Sequence, residues 1–145
     1  MTEPTMQIGE VAERIGLSLR TIRYYEEVGL ITPSARTQGG FRLYTEHDAV
    51  RLQLVKDMKP LGFSLDEMRD LLGVLDRLDG VDASGTAPED RAALLERLAM
   101  FRVAADARTD ALRAQLRIAE SFAGKLRRRL VRHGEELTAE GRPAG

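Results

Sequence analysis

After Pro88 the chain runs to His133 with no further proline and one glycine, Gly124. Leu94, Leu98, Phe101, Ala105, Leu112, Ala119, Phe122 and Leu126 recur through this stretch at spacings built from threes and fours. Arg108 and Gln115 interrupt the same seam. That pattern predicts one helix with an apolar seam of coiled-coil type. At about 1.5 Å per residue it is roughly 65–70 Å long. Nothing else in a chain of 145 residues is large enough to cover such a seam. A second copy of the chain is, so a homodimer is expected, with these eight residues at its interface.

Composition narrows the class. Hydrophobic residues make up 43% and charged residues 31%, which excludes a disordered chain. No apolar run approaches the roughly 18 residues of a membrane span, and the acidic opening MTEPTMQIGE lacks the apolar core of a secretory signal. Cysteine is absent, which removes disulfides, thiolate metal sites and cysteine nucleophiles together. A cytoplasmic protein is expected. The net charge of −1 hides an uneven distribution. Residues 91–133 are strongly basic, and residues 79–90 are acidic with no basic residue.

The first half predicts short elements. Ile8, Val11, Ala12 and Ile15 form a helical face that stops at Gly16. Ser18 is suited to cap a second helix from Leu19, closed by Gly29. Two helices joined by a tight turn form a helix-turn-helix. Gly39-Gly40 lies between short alternating runs and predicts a hairpin. Its period of two puts Arg42 and Tyr44 on an outer face and turns Phe41 and Leu43 inward. Thr45 with Asp48, and Ser64 with Glu67, have the spacing of capping boxes for two further helices, and Thr86 with Glu89 for the long one. Pro60 must end or kink the helix before it. Residues 79–90 are a linker, and residues 134–145 a disordered tail.

Together these stretches resemble a family. "IGEVAERIGLSLRTIRYYEEVGLITPSARTQGGFRLYT", followed by "LGFSLDEMRDLL", resembles the MerR family of transcription regulators. The likeness covers residues 6–78. The fold it implies is mostly α: a winged helix-turn-helix DNA-binding domain over 6–78, then a long dimerisation helix, here 91–133, paired as an antiparallel coiled coil. It also implies a homodimer that binds double-stranded promoter DNA between elements set too far apart. Such a dimer distorts the DNA so that RNA polymerase engages both elements.

Site residues follow. Tyr24 and Tyr25 are neighbours on a helix, about a hundred degrees apart. Tyr25 is expected to pack inward and Tyr24 to reach DNA phosphate, against the plainer reading of a solvated tyrosine. Arg20 and Thr21, at the start of the second helix, are base-reading candidates. Ser18 is grouped with them. Arg23 suits phosphate, or pairs with Glu26 or Glu27. Arg36, Arg42 and Tyr44 are expected to clamp the backbone from the wing. Lys56, Lys59 and the Glu26-Glu27 pair read as solvated.

Arg127, Arg128 and Arg129, with Lys125 and Arg132, read as the basic end of a helix. Because the chain has no cysteine, the thiolate metal-sensing branch of the family does not carry over, and no metal or cofactor is expected. An appended ligand-binding domain is not expected either. Any effector would be a small organic molecule, with Phe122, Lys125 and Arg129 as candidate contacts. His47 and His133 lack histidine partners. No phosphate loop, triad spacing or metalloprotease motif is present, so an enzyme is not expected. The alternative is a protein-interaction module using the winged domain on a helical dimer.

Overall fold

A computed structural model of the chain describes residues 4–80 and 87–141. Its elements are β1 (Thr5–Gln7), α1 (Ile8–Ile15), α2 (Leu19–Glu27), β2 (Ala35–Arg36), β3 (Arg42–Thr45), α3 (Glu46–Met58), a 3-10 turn (Lys59–Leu61), α4 (Leu65–Leu78) and α5 (Pro88–Glu140). The chain divides into two units, residues 1–101 and 102–145.

In the first unit α1 and α2 are the predicted helix pair. α1 buries Val11, Ala12 and Ile15 and stops at Gly16, whose φ of 79° is left-handed. The amide of Gly16 donates to the Ala12 carbonyl at 2.9 Å. Lys56, expected to be solvated, instead donates through Nζ to the Ile15 carbonyl at 2.7 Å. A helix end leaves carbonyls without partners, and an ammonium satisfies one while matching the dipole. At the start of α2 the Ser18 hydroxyl accepts from the Thr21 amide at 3.0 Å. α2 closes when the amides of Leu30 and Ile31 both donate to the Tyr25 carbonyl. Leu30 and Ile31 are buried there.

The sheet has three antiparallel strands in the order β1-β3-β2. β1 pairs Met6 with Tyr44, and β2 pairs Arg36 with Arg42. β3 is therefore the central strand, and the hairpin of β2 and β3 is the wing. β1, which the sequence pattern does not predict, pairs with the edge of β3 opposite β2.

Both predicted capping boxes of the first unit are present. Thr45 and Asp48 exchange hydrogen bonds at 2.9 and 3.2 Å, opening α3. Ser64 and Glu67 do so at 2.9 and 3.1 Å, opening α4. Pro60 does end a helix: α3 stops at Met58 and one 3-10 turn carries the chain to Gly62. The third predicted cap, at Thr86, falls outside the described residues.

α5 departs from its expected limits at both ends. It begins at Pro88, within the expected linker, and continues to Glu140, seven residues past His133. Residues 134–140, expected to be disordered, are helical. At 53 residues α5 is about 80 Å long. Its first turns belong to the N-terminal unit, where Leu94 is only 3% exposed. The Phe101 and Phe63 rings there lie 6.5 Å apart between centroids, and Arg97 pairs with Asp70. Leu94 is thus a correction to the expected dimer seam, because its own chain already covers it. Leu98, Phe101 and Ala105 are half-buried. Leu112, Ala119, Phe122 and Leu126 are exposed.

Candidate nucleic-acid interface

The two faces of α2 divide cleanly. Ile22 and Tyr25 are buried, while Arg20, Arg23 and Tyr24 are exposed. The adjacent tyrosines separate as expected. Tyr25 is 3% exposed and Tyr24 is 46%, with the rings tilted at 48° and 5.9 Å apart. Burial, then the neighbouring Tyr24, raises the Tyr25 phenol above its ordinary pKa. Among the described residues the Tyr24 hydroxyl has no hydrogen-bond partner, and its ring is exposed. Among the described residues neither Arg20 nor Arg23 has an ion-pair partner. The alternative pairing of Arg23 with Glu26 or Glu27 is not formed. Thr21 is half-buried, and its hydroxyl lies 2.8 Å from the Ser18 hydroxyl. Ser18 therefore sets the helix start that the exposed side chains project from.

The wing differs from the expected pattern. Tyr44, expected on the outer face, is fully buried. Phe41, expected to pack inward, is 64% exposed. Leu43 is half-buried. Along a strand alternate residues share a face. The face holding Tyr44 is the one turned to α2 and the core, where Glu26 meets its hydroxyl. Tyr44 is thereby excluded as a direct contact to DNA.

Its hydroxyl donates to Glu26 Oε2 at 3.1 Å. Arg42 Nε donates to the same oxygen at 2.5 Å, and Arg36 Nη2 to Oε1 at 3.1 Å. Arg36 also donates to the Gly40 carbonyl at 3.1 Å, across the wing turn. Glu26, expected to be solvated, has a side chain only 14% exposed and fastens α2 to both wing strands. Burial first, then the Glu26 charge and hydrogen bond, push the Tyr44 phenol up to about 12. Arg36 and Arg42 keep side-chain exposures of 51% and 31%. Each can turn spare guanidinium donors outward, and one carboxylate offsets only one of their two charges.

Other charged groups brace the unit. Arg51 and His47 both meet Asp76, joining α3 to α4. Arg69 donates to the Val28 carbonyl at 2.8 Å and caps α2. The Glu26 hub and these braces are long-range pairs that no local spacing encodes.

The effector candidates do not share one lining. Phe122 and Lys125 line an open groove with Ile118 and Arg117, while Arg129 lines a neighbouring one with Lys125, Arg128 and Arg132. Among the described residues no group of three or more His, Cys, Asp or Glu is placed to hold a metal ion. No described helix is long and apolar enough to cross a membrane.

A helix-turn-helix with a hairpin wing and a long following helix defines a class of regulatory protein, and comparison with known proteins makes it specific. Residues 6–74 match the model of the MerR HTH family of regulatory proteins. The N-terminal half of the chain is similar to that family. It is 48% identical over 71 residues to the mercuric resistance operon regulatory protein of Bacillus cereus, covering 49% of this chain and 54% of that one. It is 41% identical over 92 residues to the transcriptional regulator ZntR of Escherichia coli K12, covering 63% and 62%. The chain thus spans a little over half the length of these two relatives. Among solved structures it shares the fold of HiNmlR, described as a MerR-family regulator lacking the sensor domain and bound to promoter DNA. The TM-score is 0.60 at 23% identity, covering 93% of this chain and 94% of that one.

Proposed function

We propose that this protein is a sequence-specific, DNA-binding transcription regulator that acts as a homodimer. The observation that carries the reading is the outward face of α2, where Arg20, Arg23 and Tyr24 are exposed and the two arginines have no ion-pair partner among the described residues. Arginines unpaired at a helix start are poised for guanine edges and phosphates. Arg20 and Thr21 are the readers, and Arg23 and Tyr24 position the helix. Arg36 and Arg42 grip the flanking backbone from the wing with the guanidinium donors that Glu26 leaves free.

The dimer forms through the exposed seam of α5 from Leu112 to Leu126, paired antiparallel. Two half-sites are then bound one helical turn or a multiple apart. Bound between overlong-spaced promoter elements, the dimer bends and untwists the duplex for RNA polymerase. A small organic effector at the Phe122–Lys125 groove, with Arg129 beside it, shifts the dimer between two arrangements that differ in this distortion.

The test begins with DNA fragments captured by the protein from its own genome. Binding to them is then measured by fluorescence anisotropy against random duplex across a range of salt. Preference for the captured fragments, with affinity falling steeply as salt rises, is expected. Equal binding to both duplexes would remove the sequence-specific reading. Arg20→Ala should relax preference at one or two base pairs, where it costs about 1–3 kcal/mol.

A further inference from the structure

The cations of α5 from Lys125 to Arg132 belong neither to the apolar seam nor to the winged domain. In sequence they pass for the basic end of a helix, where the macrodipole favours positive charge. The helix does not end there. It continues to Glu140, and its last turn holds no basic residue. The dipole acts over about one turn, so it gives no reason for these charges.

Their placement is one-sided. At about 100° per residue, Lys125, Arg128 and Arg132 fall on the side of α5 away from Leu112, Ala119, Leu126 and Leu130, and Arg129 lies at the edge of the seam beside Phe122. A partner covering the seam leaves Arg128 and Arg132 in water, while Lys125 lines a groove with Phe122. All four are exposed and together line one open groove. Glu135 stands beside Arg128 and Arg132 in the adjoining groove. Among the described residues none of the four cations forms an ion pair. Acidic residues are scarce nearby: residues 113–132 hold seven basic residues and one acidic residue, Glu120. Like charges three and four apart repel, so the helix gains nothing from this arrangement.

We propose that this stripe is a phosphate-binding surface for the backbone of duplex DNA, additional to the contacts of Arg20, Arg23 and Tyr24. Three of its four cations are arginines, the side chain whose planar fork suits phosphate oxygens. From Lys125 to Arg132 the helix rises about 10 Å, and one DNA strand places about three phosphates along that length. The proposal rests on the DNA-binding reading above; Arg128 and Arg132 have no role in that reading, while Lys125 and Arg129 also border the proposed effector groove.

The test uses the full chain carrying Arg128→Gln and Arg132→Gln. Circular dichroism and sedimentation first establish unchanged helicity and association. If the double variant loses either, each single substitution is measured instead. Binding is followed from 50 to 200 mM salt on a captured genomic fragment with long flanks and on random duplex of equal length.

The slope of log affinity against log salt should flatten by about 0.9 for each phosphate no longer neutralised, so by about 2 for the pair. Both duplexes should weaken about tenfold at low salt, with the ratio between them unchanged. An unchanged slope on both duplexes overturns the stripe. An unchanged slope together with weaker binding to RNA polymerase overturns it too, and assigns the cations to an acidic protein surface. If the native chain fails to prefer its genomic fragment while the variant still flattens the slope, the operator reading falls and the stripe stands.

Discussion

A single carboxylate, Glu26, accepts from Arg36, Arg42 and the buried Tyr44 hydroxyl, so its removal touches folding and DNA contact in opposite ways. Glu26→Ala leaves the Tyr44 hydroxyl buried without its partner. That should cost about 1–3 kcal/mol, read as a lower urea midpoint with unchanged slope. The same change frees two guanidinium groups, so DNA affinity in the folded fraction should not fall. Tyr44 also makes a prediction in pH. Its phenol titrates at about 12 in the folded chain against an ordinary value of 10.0. Between those values the unfolded chain binds fewer protons than the folded one, so stability falls as pH rises from about 10 to 12. Urea titrations in that window should show the fall for the native chain and a smaller one for Tyr44→Phe. Neither residue can be placed from the sequence. Alternation along β3 is legible, but which face meets the core depends on where α2 and its Glu26 lie, which no local spacing encodes.

Elements whose signals are local are legible in the sequence, and elements set by distant partners are not. The capping boxes at Thr45 and Ser64, the stops at Gly16 and Gly29, and the break at Pro60 each lie within a few residues of their cause. The caps should each contribute about 0.5–2 kcal/mol, so Thr45→Ala and Ser64→Ala should lower the urea midpoint by corresponding amounts. The end of α5 lies beyond its expected limit for a physical reason. Gly134 interrupts the pattern, yet a glycine inside a helix costs only about 1 kcal/mol relative to alanine. Helix length on either side outweighs it. The seam departs from expectation at Leu94, where the apolar spacing is continuous but the covering surface changes. Spacing alone does not distinguish an intrachain partner from a second copy. Substitution does. Leu94→Asp should destabilise the N-terminal unit itself, because a charge enters its core. Leu112→Asp and Phe122→Asp should leave that unit folded and abolish association, giving monomers at sedimentation equilibrium. Intact dimers in both of the latter variants would refute the seam.

At the scale of the whole molecule, the proposed dimer must do more than hold DNA. In the proposed dimer each subunit engages one half-site, at a separation that the pairing of the two chains sets. Duplex whose half-sites do not match that separation must deform to engage both. Smooth bending of a site of this length costs on the order of 1–6 kcal/mol, and the wing and phosphate contacts offset it. If binding includes that cost, duplex that is easier to deform should bind more tightly with every contact residue kept. A single-strand nick at the centre of the captured site leaves all base pairs and nearly all phosphates in place while softening bend and twist. The nicked site should therefore bind at least about fivefold more tightly than the intact one, since each 1.4 kcal/mol relieved is worth a factor of ten. The gain should disappear for Leu112→Asp, whose separated subunits would each bind one half-site without deforming the centre. Fluorescence anisotropy on the two duplexes at one salt concentration reads the ratio directly. Equal affinities for nicked and intact sites in the native dimer would mean that the DNA is bound straight, and would remove promoter distortion from the proposed mechanism while leaving sequence recognition intact.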